Sequence, residues 1–507
     1  MPGSTGPDIN TYSIPEVQLG DTFNFWRDAT NTGIYKLNKL RVYDMVDTGS
    51  IGVTATVGGL WSVSLSPTVS TGHTFSSVIR FTSGISSAGV YTSAGLTVDN
   101  DANIAGGLTV GGNGFATRFT AYGAGSISTN TAYGLCSLNS NTTGYSNVAV
   151  GTCALFANTS GCCNTAIGQH ALKSNTIGLR NIAIGSASLC NNTLGCCNIA
   201  IGSDALCCNT NASGNIAIGD CSLRGNTGGC FNTAVGVNTL PVNTVGCRNT
   251  AIGYAALNDN TTSCGNTAVG YEALLCNVGN YNTAVGAQAL TCNITGIANT
   301  AVGCAALKRN CGSYNTAIGA ESMVFNTSGE SNTAIGQSSL YYNNGNENTA
   351  IGAQVLGQNT TGCCNTAVGS YAMQNNTSGS NNSALGSCSL FTNTTGKCNT
   401  AIGTWALYYN TTSGNVAVGT CSLYANTTGQ YNTGVGTCSL VSNVSGQYNT
   451  AVGVISLASN TTGICNTAVG ASALTSNVSG TRNTAVGAGA MQWNTRGINN
   501  TAVGGGA

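Results

Sequence analysis

Charge is scarce in this sequence. Of 507 residues, 15 are Lys or Arg and 15 are Asp or Glu, so 6% are charged and the net charge is zero, against about 25% charged in an ordinary soluble domain. A balance this thin leaves no basic field to grip nucleic acid and no acidic field to attract basic partners. Histidine is rarer still, with only two in the chain, which removes the usual general base and the commonest zinc ligand. No apolar run reaches the roughly 18 residues that a membrane-spanning helix requires, so membrane insertion is not expected. Residues Met1 to Pro15 carry neither a basic leader nor an apolar segment, so synthesis in a cytoplasm without a secretory signal is expected. The apolar fraction of 41% is ordinary, so low charge does not here mean disorder. Together these features speak against an enzyme: no catalytic, cofactor-binding or metal-binding set is expected.

What the chain has instead is glycine, 71 residues, and cysteine, 24 residues. So many cysteines would ordinarily suggest a secreted disulfide scaffold. All of them, however, fall between Cys136 and Cys465, scattered over several positions of a repeat, and they read as small apolar fillers. In the adjacent pairs Cys162-Cys163, Cys196-Cys197, Cys207-Cys208 and Cys363-Cys364, strand alternation would bury one thiol of each. Cys230, Cys247 and Cys264 share one repeat position. Stacked Cα atoms are within disulfide reach, but parallel side chains on a ladder meet in poor geometry.

The repeat is found by aligning the chain on the glycine that closes Asn-x-Ala-Val/Ile-Gly. It occurs 23 times, from Gly134 to Gly504, with eighteen intervals of 17 residues and four of 16. Numbering positions from this glycine as zero, position −4 is Asn in every copy and position +7 is Asn in every copy that reaches it. Position −2 is Ala except at Gly434, position −1 is Val or Ile except at Tyr133 and Leu385, and position +4 is Leu or Met. The shortened intervals lose their residue between +7 and the next −4, in Thr/Ser/Gly segments such as Asn141-Thr142-Thr143-Gly144. Such segments are turn chemistry. A 17-residue period is too short for two-helix repeats and lacks a 3.6-residue stripe. Short β-branched runs punctuated by Asn and Gly instead predict an all-β protein, a parallel β-solenoid or β-roll of about 22 coils, each 17 residues long.

Stacked coils place every position on itself at about 4.8 Å, giving a rod of roughly 105 Å. The expected ladders include Asn147, Asn164 and Asn181 at −4, Asn158 and Asn175 at +7, and Leu155, Leu172 and Leu257 at +4. A turn Asn can donate its carboxamide to the Asn one coil along, so these residues are structural rather than catalytic. Positions −2 and −1 are both apolar, yet adjacent strand residues face opposite sides. One face of this strand must therefore lie outside its own coil interior. A homotrimer packing the strand near its axis is the simplest solution.

Asn-Thr-Ala-Val/Ile-Gly-x-x-Ala-Leu-x-x-Asn-Thr-Thr-Gly, over about residues 130–507, resembles the repeat of tail-fibre-like proteins of marine bacteriophages, notably those infecting cyanobacteria. It is also similar to the head repeats of bacterial trimeric autotransporter adhesins, which are trimeric left-handed β-rolls. The absence of a signal sequence and the C-terminal stretch Thr501-Ala502-Val503-Gly504-Gly505-Gly506-Ala507, which is no membrane anchor, favour the phage resemblance.

Residues 1–129 hold 14 of the 30 charged residues and read differently. Residues 1–50 form a candidate attachment and oligomerisation segment. Asp21 is placed to cap a short helix through Asn31, and Phe23, Trp26, Leu37 and Leu40 keep spacings compatible with an oligomeric helical seam or with a small core helix. Asp21-Thr22-Phe23 with Trp26 and Thr30-Asn31 resembles the N-terminal stretch of cyanophage fibre and appendage proteins, which implies a virion-proximal end docked on a tail, baseplate or other structural protein. Residues 51–95 alternate as a small β domain. Residues 96–129 contain Leu96-Thr97-Val98 and Leu108-Thr109-Val110, similar to a phage-fibre shaft motif or else a plain β meander.

Binding, if present, belongs to the variable positions. Tyr341, Tyr342, Trp405, Tyr408, Tyr409 and Trp493 are candidate contacts to a host glycan or protein, with packing over neighbouring coils as the competing reading for each. The resemblance implies an adhesive virion fibre, located in the virus particle, with self-association as a homotrimer and a capping or adhesin protein expected at the C-terminal end of the rod. The alternative is a non-viral surface-binding solenoid, adhesin-like or ice-binding, because Thr recurs at position −3.

Overall fold

The computed structural model describes residues 129–507, Ile127, and eight short strands between Lys36 and Val98. The chain divides into two compact units, Met1–Phe119 and Thr120–Ala507.

In the first unit, β1 (Lys36–Leu37) and β2 (Leu40–Arg41) are antiparallel, with Leu37 and Leu40 as backbone partners. This corrects the expected seam. Two residues of one helical stripe cannot also be paired in an extended antiparallel ladder, and the two-residue separation between the strands is the length of a tight hairpin connection. Phe23, Trp26 and the Asp21–Asn31 stretch lie outside the described residues. Strands β3 (Ile51–Ala55) and β4 (Trp61–Leu65) form an antiparallel pair. Next, β5 (His73–Phe75) pairs in parallel with β7 (Val90–Thr92), and β6 (Ile79–Phe81) with β8 (Leu96–Val98). Both parallel pairs are offset by 17 residues, the step of the downstream repeat. Leu96–Val98 is thus half of a parallel step rather than part of a meander. Leu108–Val110 lies outside the described residues.

The second unit is a parallel β-solenoid of about 22 turns. Each copy of the repeat contributes a three-residue strand at −3 to −1, from Thr131–Tyr133 to Thr501–Val503, and each strand pairs with the next in exact column register. The ladder is open, since the strand at Thr131 pairs with the one at Val148 and the strand at Thr501 with the one at Thr484. A second, short parallel sheet forms at +6 and +7 in four successive coils: Cys276–Asn277, Cys292–Asn293, Arg309–Asn310 and Phe325–Asn326. No helix occurs among the described residues of the solenoid.

The coil interior is narrow. The Ala of position −2, the Leu or Met of +4 and the small residue of +3 face inward and are buried in every coil between Ala149 and Ala490, Leu155, Leu172 and Leu257 among them. At Gly434 the depth of this interior can be measured: an added Cβ would stand 2.6 Å from Ser422 Oγ and 3.4 Å from Leu423 Cγ. Even a methyl is crowded there, so a larger side chain has no room. Ser422 and Ser439 hydrogen-bond there at 2.8 Å, as Ser322 and Ser339 do beside Ala334 at 3.1 Å.

Both Asn columns are buried, and they close their hydrogen bonds differently. At +7, Asn158 Nδ2 donates to Asn141 Oδ1 one coil earlier (2.8 Å) and to Gly161 O in its own turn (3.0 Å), and Asn175 does the same to Asn158 Oδ1 and Gly178 O. At −4, the backbone N–H of Asn164 donates to Asn147 Oδ1 (3.0 Å), while Asn164 Nδ2 reaches Gly178 O (2.8 Å). Asn181 N donates in turn to Asn164 Oδ1 (2.9 Å). Loss of one turn residue disturbs this accounting once. Asn266 precedes the first 16-residue coil and its Nδ2 is buried without a partner, whereas in the next shortened coil Gly312 O accepts from both Asn299 (2.9 Å) and Asn310 (2.7 Å).

Tight closure of a 17-residue coil requires left-handed backbone. The glycine of position 0 has φ between 124° and 142°, and a Cβ at Gly253 would lie 2.5 Å from Gly270 O, so only glycine fits. Positions +2, +4 and −5 also lie at positive φ with ordinary side chains, as at Ala255 (53°), Leu257 (53°) and Arg248 (59°). Each such residue costs about 1–2 kcal/mol. Their N–H groups all bond across coils: Leu257 N to Ala273 O (3.0 Å), Ala255 N to Val237 O (3.2 Å) and Arg248 N to Cys230 O (3.1 Å). The bends exist to aim these donors along the rod.

Two substitutions test this interior. Leu257→Asp puts an unpaired charge in a fully buried site and is expected to cost about 3–5 kcal/mol, read by denaturant unfolding; a normally stable, protease-resistant rod would show that +4 does not face inward. Asn243→Ala removes donors to Asn226 Oδ1 (2.8 Å) and Gly246 O (3.0 Å) and the acceptor of Asn260 Nδ2 (3.0 Å). Asn226 Oδ1 is then left buried without its donor, while Asn260 Nδ2 keeps Ser263 O (3.2 Å) and Gly246 O keeps Asn232 Nδ2 (2.8 Å), so a loss of about 1–3 kcal/mol is expected.

Candidate interface on the outer sheet face

Because Ala occupies the interior, the residues on either side of it point away from the coil. The Thr of −3 is half-buried, and the Val or Ile of −1 remains 37–40% exposed at Ile218, Ile252, Val285, Ile318 and Ile402. These side chains form a stripe along the whole rod. Taken as roughly 105 Å by about 5 Å, it covers about 500 Å², which is at the upper end of what a monomeric surface ordinarily exposes. The parallel strands make it flat and regular. This is the most extensive candidate site in the molecule, and alternation alone did not decide which apolar column would form it.

The aromatic candidates divide into separate places. Tyr341 and Tyr342, at +5 and +6, pack on each other edge-to-face (4.7 Å between centroids), and Tyr342 stacks on Phe325 (5.3 Å, 9°). Tyr408 stacks between Phe391 (5.0 Å, 7°) and Tyr424 (5.3 Å, 24°), and Tyr409 meets both tyrosines edge-on. Burial raises the phenol pKa of Tyr341 and Tyr408, and the hydrogen bond that Tyr424 donates to Tyr409 does so first for Tyr424. In these stacks ring faces are spent on neighbouring coils, leaving mainly edges to solvent. Trp493 (80% exposed) presents much more surface, while Trp405 (46%) is exposed about as much as Tyr342 (43%) and Tyr409 (44%). Trp405 and Trp493 occupy +2 and +6, and the structure does not bring them together with the tyrosine clusters. Phe325 and Phe391, which complete the two clusters, were not singled out from sequence; their spacing of one coil from the tyrosines was the available signal.

The filler reading of cysteine is overturned. All 24 thiols are free, and each is exposed or half-buried; none is enclosed in the coil. In the adjacent pairs neither member is buried: Cys162, Cys196 and Cys363 are half-buried beside exposed Cys163, Cys197 and Cys364, and Cys207 and Cys208 are both half-buried. Three of these pairs occupy −6 and −5, at a left-handed bend rather than in a strand, so two-sided alternation does not apply. The −6 thiol has a specific task. Cys230 N donates to Cys247 Sγ (3.1 Å) and Cys247 N to Cys264 Sγ (3.1 Å), while the Cys247 thiol donates to Val245 O (3.4 Å). Ser213 and Ser380 make the same acceptor contact, with Cys196 N and Cys363 N. Here Cys substitutes for Ser as a bridge between coils.

His170 is half-buried at a left-handed +2 position, and the side chain of His73 lies outside the described residues. No group of three or more His, Cys, Asp or Glu able to hold a metal occurs among the described residues. No helix among them is long and apolar enough to cross a membrane.

Burial, reinforced by a hydrogen bond to Asp259, pushes the Cys276 thiol up to about 12, and burial with neighbouring Cys208 pushes Cys207 up to about 11. Only the thiolate is alkylated quickly. At pH 8 iodoacetamide is therefore expected to modify exposed Cys304 well ahead of Cys276, and the Cys276 rate should still be rising at pH 10. Peptide-resolved mass spectrometry reads both rates, and equal labelling at pH 8 would contradict the burial of Cys276. Comparison with family models, curated proteins and solved structures finds no match to this chain.

Proposed function

We propose that the chain is the structural and adhesive fibre of a virus particle, a phage tail fibre or similar appendage that projects from the virion toward the host surface. The observation that carries the reading is the outward Val/Ile column. A rod whose every coil presents one apolar side chain on a flat sheet has reason to associate with copies of itself, because identical columns in a symmetric bundle cover one another along their full length. Three protomers packed on this face form a homotrimer with the aromatic positions left outside. The resemblance of the repeat to phage-fibre and trimeric-adhesin sequences supports the same arrangement. The N-terminal segment is the end docked on a virion protein. Trp493 is the best-exposed candidate for contact with a host glycan or protein, followed by Trp405, Tyr342 and Tyr409, whereas Tyr341 and Tyr408 mainly hold neighbouring coils together.

A second reading is favoured by the outward Thr column at −3, which lies beside the Val/Ile column at regular spacing. In a monomer this flat face would be free to adsorb to an ordered surface, ice included.

Light scattering of the purified protein, with and without reductant, separates the two. A trimer in both conditions is expected, and the triple variant Ile252→Lys, Val269→Lys, Val285→Lys should shift the mass toward monomer while circular dichroism remains that of the folded rod. A monomeric parent protein that shows thermal hysteresis would replace the fibre reading with the surface-adsorbing one.

A further inference from the structure

Position +6 carries Asp259, Cys276, Cys292 and Arg309 on four successive coils. Cys276 and Cys292 are backbone partners in the short parallel sheet, and Cys292 is in turn the partner of Arg309. Both thiols are half-buried, so they are reachable from solvent yet held by the ladder. Partners on adjacent parallel strands stand about 4.8 Å apart, and side chains in matching rotamers carry that separation out to their tips. The Cα spacing is within disulfide reach, but a disulfide requires about 2.05 Å between sulfurs, and side chains left parallel on the ladder keep theirs farther apart. Two sulfurs each about 2.3 Å from a metal lying between them are about 4.6 Å apart, which is close to the ladder spacing. Ions that demand three or four protein ligands find no such group among the described residues. Soft thiolates select soft cations, copper(I) among them.

We propose that Cys276 and Cys292 form a linear two-thiolate site for a soft monovalent cation, copper(I) or silver(I). On binding, the two S–H bonds break, two S–metal bonds form and two protons pass to solvent, with no change of oxidation state. The bis-thiolate complex carries one negative charge, and Arg309 in the next coil supplies a compensating positive one. In the metal-free chain its guanidinium rests over the Phe325 ring of the following coil, 5.4 Å from the ring centre, and would turn back one coil to meet the complex. Asp259 occupies the same column one coil before Cys276.

The test uses the full, reduced chain titrated with silver nitrate in chloride-free buffer. Excess glutathione strips ions held by one sulfur, and retained metal is counted by native mass spectrometry. Cys276→Ser and Cys292→Ser are each expected to lower the retained count by about one ion, and the double variant by no more than either single change, because one ion needs both sulfurs. Cys304→Ser, at an exposed thiol with no cysteine in the same column of the adjoining coils, should change nothing. Alanine in place of serine, with circular dichroism for each variant, guards against a folding artefact. Two results would overturn the site: single variants that retain the parental count, or a double variant that loses twice as much as either one. A third would be ready closure of a Cys276–Cys292 disulfide under glutathione disulfide, seen as loss of two hydrogens, since that would place the sulfurs much nearer than the ladder does.

Discussion

The solenoid depends on carboxamides stacked at the spacing of a β-ladder. A coil of 17 residues encloses too little apolar volume to hold itself closed: its inward side chains are one Ala, one Leu or Met, one small residue and two Asn. The Asn residues compensate by acting as backbone. At −4 the side-chain oxygen takes the N–H of the next coil's Asn, and at +7 the amide joins its own turn to the preceding coil. Buried polar groups stabilise only when every donor and acceptor is met. An infinite stack of identical residues is the simplest way to meet them, which is why neither column tolerates a substitute in any copy of the repeat. The unpaired Asn266 amide beside the first shortened coil shows how little slack this arrangement has.

Backbone handedness follows from the same demand. For donors and acceptors to lie along the rod, the chain must turn sharply several times per coil, and it does so by placing ordinary residues at positive φ at three positions besides the glycine. The isolated cost of such residues is appreciable, yet each donates its N–H to an adjoining coil. Leu at +4 is therefore both the main apolar residue of the interior and a bent hinge in the backbone.

Much of this was legible in the sequence where one fixed contact dictates one residue type. The Asn, Leu and Gly columns each answer to such a contact, so period, strand position and coil number could be read directly. The direction of the Ala/Val pair could not, because alternation says only that they oppose each other; the deciding quantity is interior depth, visible at Gly434. Cysteine was misread because adjacent thiols were assigned to a strand. A usable signal was present: Val, Ile and Thr are almost absent from +2, +4 and −5, with Ile455 the exception at +2. β-branched residues are the ones least able to adopt positive φ, so their avoidance marks the bends, and small unbranched Cys is at home there. The outer surface was least legible, since exposed positions vary and no single contact governs them.

The hydrogen bonds between coils run along the rod, and each coil touches only its neighbours. Under tension the steps are loaded in series, so the rod resists until its weakest junction gives way. One released coil converts a rise of about 4.8 Å into roughly 55–60 Å of free chain. Such a rod is stiff under small loads and yields in discrete lengths under large ones, becoming a shock absorber without any separate elastic domain.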